Sequence, residues 1–191
     1  KEFNEVLDRD TIVIGDGGDI IVLAGRIIRV HEHGHWMDPG PMGVLGVGLP
    51  FAMAAKAARP DKKVIVLNGD GAFGITAMDF DTLVRFNLPV VLVIGNDAGW
   101  GQMRIPQLML FGDDKSVGTD LSPTTRYDKL AESMGAHGER VADPRELRPA
   151  LERALATGGP AVIHVDVDPV KHMWAPGLMY FKDMHLEPKG K

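Results

Sequence analysis

The sequence predicts a doubly wound α/β domain, a parallel sheet with helices on both faces. Short continuous aliphatic runs, such as residues 63–67 and 90–94, are typical of strands buried on both sides of a sheet. Segments with apolar residues at helical spacing alternate with these runs, and glycine-rich turns follow several of them. Alternating strands and helices favour a parallel sheet that binds its ligands beyond the carboxyl ends of its strands.

The first half of the chain provides two strands and two helices. Residues 11–14 form a β-branched run, and a Gly-Asp-Gly-Gly turn and a helix over 19–30 follow it. Residues 43–58 are glycine-rich at the start and alanine-rich at the end, which indicates a second helix. Residues 63–67 are the next strand.

The second half repeats this alternation. A helix is predicted near 77–86, a strand over 90–94 and a helix over 127–134. The roughly 30 residues that end at Thr125 are rich in Gly, Pro, Asp and Thr, too long for a plain connector, and they predict a functional loop. A strand over 138–141, a helix that begins at Asp143-Pro144 and ends near Ala156, and a strand over 161–167 complete the pattern.

We expect one domain over residues 1–168 and a C-terminal tail over 169–191. The tail carries Trp174, Tyr180 and Phe181, which either close an active site as a lid or pack as an ordinary terminus. Because the sequence does not begin with Met, we also expect a fragment or a part of a longer polypeptide.

Composition restricts the function. The net charge of −5 argues against nucleic acid or an anionic membrane as a partner. No apolar run or leader suggests a membrane span, so we expect a cytoplasmic protein. With no cysteine in the sequence, any metal must be held by oxygen or imidazole.

Three loops follow predicted strands and should open on the same edge of the sheet. They cover residues 15–19, 69–73 and 96–101, and the last two each present an aspartate, Asp70 and Asp97. Two carboxylates at facing strand ends repel each other, and a divalent cation stabilises both in the ionised form. Magnesium combines a few carboxylates with phosphate oxygens. The sequence therefore predicts a metal site for a phosphorylated ligand.

Gly69-Asp70-Gly71, followed after a helix and a strand by Asn96-Asp97, resembles the signature of thiamine-diphosphate enzymes. Residues 38–50 and 79–89 are similar to segments of the acetolactate synthase group, which includes 2-hydroxyacyl-CoA lyases, oxalyl-CoA decarboxylase and benzaldehyde lyase. The resemblance covers nearly the whole chain and implies the C-terminal, diphosphate-binding domain of such an enzyme. It also implies thiamine diphosphate and Mg²⁺ as cofactors.

The resemblance assigns roles to the strand-end loops. It implies that Asp70 and Asp97 coordinate Mg²⁺ through their side chains and Gly99 through its carbonyl group. Asp97 departs from the commoner second Asn and adds a negative charge. We therefore expect backbone N–H groups to hold more of the diphosphate. The backbone residues expected to bind the cofactor in these loops are Gly69, Gly71, Ala72, Trp100 and Gly101. In the first loop, Asp19 and Ile20 replace a polar pair, so a phosphate contact there is not expected.

The segment before the second helix corresponds to the part of the family that contacts the aminopyrimidine. The resemblance implies that Leu45 lies under the thiazolium and forces the bent cofactor, with core packing as the alternative. It implies that the Gly43 carbonyl accepts from the 4'-amino group and that the Leu45 N–H donates to the ring, with Val44 also among the cofactor-binding residues. Proximity of that amino group to the reactive carbon is the catalytic principle.

An activating glutamate is expected from a partner. In the family it comes from a pyrimidine-binding domain, usually on another subunit, so we expect a homodimer or homotetramer. The glutamates of this chain belong to the wrong elements for that role: Glu2, Glu5, Glu32, Glu132, Glu139, Glu146, Glu152 and Glu187.

The reaction expected from the resemblance is carbon-carbon bond cleavage or formation. The sequence of residues 38–41 and 95–102 is most similar to 2-hydroxyacyl-CoA lyases and favours such an enzyme, which would use an acyl-CoA. The alternative is an acetolactate synthase-like enzyme acting on 2-oxo acids. A non-catalytic cofactor- or nucleotide-binding module is a further alternative. A Rossmann dehydrogenase is disfavoured because the first strand is not followed by Gly-x-Gly-x-x-Gly.

Other conspicuous side chains have weaker assignments. His31, His33 and His35 alternate, which allows a metal cluster, although a position on the substrate approach or at the surface is favoured. Trp100, Gln102 and Met103 follow the metal loop, where they either face the substrate or simply pack.

Overall fold

The computed structural model describes residues 1–112 and 115–169. Within them lies a six-stranded, all-parallel sheet with the order β2-β1-β3-β4-β6-β5. The strands are β1 (Thr11–Asp16), β2 (Trp36–Met37), β3 (Lys63–Gly69), β4 (Val90–Asn96), β5 (His137–Val141) and β6 (Ala161–Asp166). The predicted parallel sheet is confirmed.

Seven α-helices connect the strands within the described part of the chain. They are α1 (Asp19–Ile27), α2 (Gly48–Ala58), α3 (Asp70–Thr76), α4 (Phe80–Arg85), α5 (Gly101–Phe111), α6 (Tyr127–Ser133) and α7 (Leu147–Ala156). Short 3-10 turns occur at Glu2–Glu5, Gly40–Met42, Ala77–Asp79 and Pro144–Glu146. None of the described helices is both long and apolar enough to cross a bilayer.

Each face of the sheet has its own apolar core, which confirms the doubly wound arrangement. On one face, Leu49 of α2, Phe80 of α4 and Ala131 of α6 pack against the strands. On the other face, Ala24 of α1 and Leu151 of α7 do so. The central strands are buried on both sides, because their side chains alternate between the two cores.

The register brings the strand ends together at one edge. Asp16 at the end of β1 pairs with Asn68 of β3, and Gly69 of β3 pairs with Gly95 of β4. The loops that leave β1, β3 and β4 therefore begin at the same height. This alignment positions the candidate site.

Several boundaries differ from the sequence-based expectations. The helix predicted near 77–86 is preceded by a separate helix, α3, which begins at Asp70 directly after β3. The first part of the predicted functional loop is helical, since α5 continues to Phe111 through Pro106. The two-residue strand β2 was not predicted. The proposed lid residues Trp174, Tyr180 and Phe181 lie outside the described residues.

Candidate functional site

A cavity of about 320 Å³ opens at the carboxyl edge of the sheet. The loops after β1, β3 and β4 and the turn before α2 surround it. Of the residues predicted to contact the cofactor, all line this cavity except Val44, whose side chain is 53% exposed. The remaining set is Gly43, Leu45, Gly69, Asp70, Gly71, Ala72, Asp97, Gly99, Trp100 and Gly101.

Asp70 lies at the junction of β3 and α3 and is only 2% exposed. One carboxylate oxygen accepts a hydrogen bond from the Gly71 amide at 2.8 Å, and the other accepts from the Gly99 amide at 3.1 Å. The Gly99 contact joins the loop after β3 to the loop after β4. The two segments of the predicted metal site are therefore directly connected.

Asp97 lies close enough to Asp70 for the charges of the two carboxylates to affect each other. Burial raises the pKa of Asp70 to about 6, and the charge of Asp97 adds to this rise. Two nearby carboxylates in a poorly solvated position favour a bound cation, because the cation stabilises their ionised forms.

The Asp97 carboxylate is also paired with Arg104 of α5, at 3.1 Å between Oδ2 and Nη2. The side chains of Asp97 and Arg104 are 10% and 15% exposed, so most of this ion pair is shielded from water. Sequence reasoning did not single out Arg104, although it lies seven residues after Asp97.

The backbone amides around the cavity are not equally free. The Trp100 amide donates to the Thr119 carbonyl at 2.7 Å, so the predicted donation to a phosphate conflicts with an existing hydrogen bond. The amides of Ala72 and Gly101 lie in the first turns of α3 and α5, where an N–H has no partner within the helix. These two amides are the better candidates for an anion.

The Trp100 side chain packs at the edge of the cavity. A Cβ atom placed on Gly71 would lie 2.8 Å from the Trp100 ring, so the indole packs directly against the start of α3. Glycine at position 71 therefore permits this close approach between the loops after β3 and β4.

The turn before α2 is held by Asp16, a residue that was not predicted to be functional. Its fully buried carboxylate accepts from the amides of Gly46 at 3.1 Å and Gly48 at 2.7 Å, and burial raises its pKa. Asn68 also donates to it, at 3.3 Å. Asp16 thereby fixes the segment that presents Gly43 and Leu45 to the cavity.

A buried polar network lies behind the loop after β4. His164 of β6 is 1% exposed, and its Nδ1 accepts from the Tyr127 amide at 3.3 Å, while Nε2 lies 3.2 Å from Asp166. Nε2 also lies 3.1 Å from the Asn96 side chain, whose oxygen accepts from the Ala98 amide. Burial lowers the pKa of His164. Because Nδ1 accepts from the Tyr127 amide, we assign the proton of the neutral ring to Nε2, which faces the Asp166 carboxylate.

The histidine triplet is separate from this site. His31 and His33 line a surface depression with Glu32 and Trp36, whereas His35 is 7% exposed and its carbonyl accepts from Val13 in β1. Among the described residues, no group of three or more His, Asp or Glu side chains is arranged to hold a metal.

Three further residues from the segments that follow β1 and β4 line the cavity. Gln102 and Met103, for which substrate contact and packing were both considered, border it, and so does Ile20 after β1. Gln102, Met103 and Ile20 therefore remain available for contact with a ligand.

Comparison with known proteins gives consistent results. A family model described as thiamine pyrophosphate enzyme, C-terminal TPP binding domain, matches residues 16–165. The acetolactate synthase large subunit IlvG of Mycobacterium tuberculosis is 51% identical over 168 residues, which cover 88% of this chain and 30% of that protein.

Other similar proteins carry a different name. The 2-hydroxyacyl-CoA lyase 2 of Caenorhabditis elegans is 39% identical over 82% of this chain and 24% of that protein. The protein of the same name from Homo sapiens is 42% identical over 70% of this chain and 21% of that protein. The chain thus spans about a third or less of the length of these curated relatives.

Proposed function

The chain belongs to the thiamine pyrophosphate enzyme family, as its C-terminal TPP-binding domain, and from this membership we propose that the cavity binds thiamine diphosphate through Mg²⁺. The observation that carries the proposal is the contact between Asp70 and the loop of Asp97 at the edge of the cavity. Asp70 and Asp97 both line the cavity, together with several glycines.

The residues present fit such a metal. Asp70 and Asp97 would supply side-chain oxygens and Gly99 its carbonyl, and Mg²⁺ prefers oxygen ligands in this combination. Within the described chain these two carboxylates are not joined by a third acidic or histidine side chain placed to hold a metal, so the shell would need oxygens from a ligand. A diphosphate provides them. The amides of Ala72 and Gly101 would then contact the remaining phosphate oxygens.

The turn before α2 would hold the other end of the cofactor. Leu45 is half-buried and lines the cavity, so its side chain would support the thiazolium in a bent conformation. Gly43 is exposed and adopts a left-handed backbone with φ of 61°, and its carbonyl group would accept from an amino group of the cofactor. When bound, thiamine diphosphate supplies a carbon that adds to carbonyl compounds and stores the electrons of a carbon-carbon bond.

A second domain would complete the site. Large apolar side chains next to the turn are exposed, with Met42 at 82% and Met78 at 69%. Large apolar side chains that are exposed in an isolated domain are typical of a surface that another domain or subunit covers. We propose that a pyrimidine-binding domain, supplying the activating glutamate from the rest of the enzyme or from another subunit, covers them in a homodimer or homotetramer.

Two reactions are candidates for the whole enzyme. The higher identity, 51%, is to proteins named acetolactate synthase and favours condensation of 2-oxo acids. The sequence of residues 95–102 and identities of 38–43% favour a 2-hydroxyacyl-CoA lyase, the reaction preferred from sequence. Assaying acetolactate formation from pyruvate alone, beside formyl-CoA release from a 2-hydroxyacyl-CoA, separates the two. We expect a cytoplasmic enzyme in either case.

Calorimetric titration of thiamine diphosphate into the full-length enzyme, with and without Mg²⁺, tests the site. We expect metal-dependent binding in wild type and its loss in Asp70→Ala. Asp81→Ala is the matched control, because Asp81 lies in α4, outside the cavity, and pairs with Arg85 at the surface. Binding that does not require metal, or survives in Asp70→Ala, would contradict the proposal and favour a nucleotide-binding module.

A further inference from the structure

Arg104 forms an ion pair with Asp97 inside the wall of the cavity. Their 3.1 Å contact is mostly shielded from water, since the side chains are 15% and 10% exposed. An ion pair in such a position interacts more strongly than a surface pair, because the effective dielectric constant is lower. Removing the Arg104 guanidinium would leave the poorly solvated carboxylate of Asp97 without its compensating charge.

The position of Arg104 is fixed by the loop around it. The turn after β4 is held to the segment 119–121 by two backbone hydrogen bonds, from Trp100 to Thr119 and from Leu121 to Ala98. A Cβ atom on Gly99 would lie 2.5 Å from Nη1 of Arg104, so the guanidinium lies directly over that glycine. The Arg104 guanidinium thus packs against the backbone that leads away from Asp97.

The charges around the cavity explain why such a cation is needed. Asp70 and Asp97 together carry two negative charges when ionised, and a diphosphate adds more, whereas one divalent metal ion contributes only two positive charges. Arg104 donates to Oδ2 of Asp97, and this contact fixes the orientation of the carboxylate. Asp120, the other partner of Arg104 at 3.4 Å, is 77% exposed and needs no such compensation.

We propose that Arg104 is a positioning residue that compensates the charge of Asp97 and holds one carboxylate oxygen toward the metal. This inference rests on the proposed function of the site. Arg104 acts through Asp97 and not by direct contact with the diphosphate. A neutral amide side chain at position 97 would remove the need for the cation.

A double-mutant cycle tests this dependence. The four proteins are wild type, Arg104→Met, Asp97→Asn and the double variant, each as the full-length enzyme. The measured quantity is the affinity for inorganic diphosphate in the presence of Mg²⁺, which does not depend on catalysis. We expect Arg104→Met to weaken binding about tenfold when Asp97 is present. In the Asp97→Asn background, the same change should weaken it less than about twofold.

Two further variants control for folding and geometry. Asp120→Asn removes the exposed partner of Arg104 and should leave the diphosphate affinity within about twofold of wild type. Arg104→Lys keeps the charge, and we expect it to retain affinity within about threefold. If Arg104→Met does not fold, Arg104→Gln, which also removes the charge, replaces it in the cycle.

Each outcome bears on the proposal. Equal losses in the wild-type and Asp97→Asn backgrounds, or a loss in Arg104→Lys as large as in Arg104→Met, would overturn charge compensation through Asp97 while leaving the metal site intact. Absence of metal-dependent diphosphate binding in wild type would overturn the proposed site, and this inference with it.

Discussion

Asp16 and Gly48 are joined by a 2.7 Å hydrogen bond between residues 32 positions apart in the sequence. The other carboxylate oxygen of Asp16 accepts from Gly46, so one buried side chain holds the turn that leads into α2. The turn carries Gly43 and Leu45 to the cavity. The shape of this wall therefore depends on a residue of β1.

Replacing Asp16 with Asn should loosen this turn. The variant has one acceptor for two buried amides, and we expect a loss of about 1–3 kcal/mol in the free energy of unfolding, measured with urea. Affinity for thiamine diphosphate should fall more than affinity for inorganic diphosphate, because only the former reaches the turn. Asp10→Asn, which changes a carboxylate that is 66% exposed, should change stability by less than about 1 kcal/mol. Equal losses for the two ligands would contradict a specific effect on the turn.

Truncating Leu45 should affect the reaction more than the fold. Leu45 is half-buried and borders the cavity, so Leu45→Ala removes the support expected beneath the cofactor. We expect kcat of the full-length enzyme at saturating Mg²⁺ and thiamine diphosphate to fall on the order of 100-fold, as misplaced reacting groups do. Ile27→Ala removes a similar side chain from the exposed end of α1 and should retain the wild-type kcat. An unchanged kcat in Leu45→Ala would assign this residue to packing alone.

Two glycines of α3 should respond in opposite directions to alanine. At Gly71 an added methyl group meets the Trp100 ring at 2.8 Å, and we expect about 1–3 kcal/mol of destabilisation with a shifted tryptophan fluorescence spectrum. At Gly74 nothing lies within 4 Å, so Gly74→Ala should stabilise the helix by about 0.4–1 kcal/mol. Urea unfolding of both variants measures the difference. Destabilisation of similar size at both positions would argue against the specific contact with Trp100.

His164 should make stability depend on pH. Burial lowers its pKa below the usual 6.5, although Asp128 and Asp166 oppose this and Arg126 and Arg140 reinforce it. The unfolded chain therefore binds a proton before the folded protein does as pH falls below about 6.5, and stability decreases by at most about 1.4 kcal/mol for each pH unit.

The variant His164→Gln isolates this contribution. Urea unfolding between pH 5 and pH 8 should show a smaller decrease in stability toward acidic pH than in wild type, even if the variant is less stable throughout. His33→Gln, at an exposed position, should keep the wild-type profile. Identical profiles for His164→Gln and wild type would show that His164 does not titrate differently in the folded state. Since Asp16 and Asp70 contribute in the opposite direction, the difference between profiles is the relevant quantity.

Local sequence signals were sufficient for five of the six described strands and for the aspartates. Continuous aliphatic runs identify β3 and β4, and parallel strands place their carboxyl ends together, which brings Asp70 and Asp97 to one cavity. The helix α5 was taken for a loop because Gly101 and Pro106 oppose helix formation locally, whereas packing of Ile105 in the interior favours it.

The residues that support the site could not be found in the same way. The contact from Asp16 to Gly48 and the approach of Thr119 to Trp100 join segments distant in sequence, and no local pattern reports such a pairing. The sequence pointed only weakly to Arg104. A basic residue seven positions after Asp97 suggests that it compensates the charge of that aspartate only when the structure of the turn between them is known. Nothing in the sequence pointed to the buried His164.

The order of the strands has a consequence for synthesis of the chain. β6, the last of the described strands in sequence, lies between β4 and β5, so β5 has no described strand neighbour except β6. While a ribosome is still translating residues 137–160, the carboxyl-terminal half of the sheet cannot close. β4 then presents a bare apolar edge, which is prone to aggregation until β6 emerges. Late completion of the sheet makes this interval a natural point for chaperone binding.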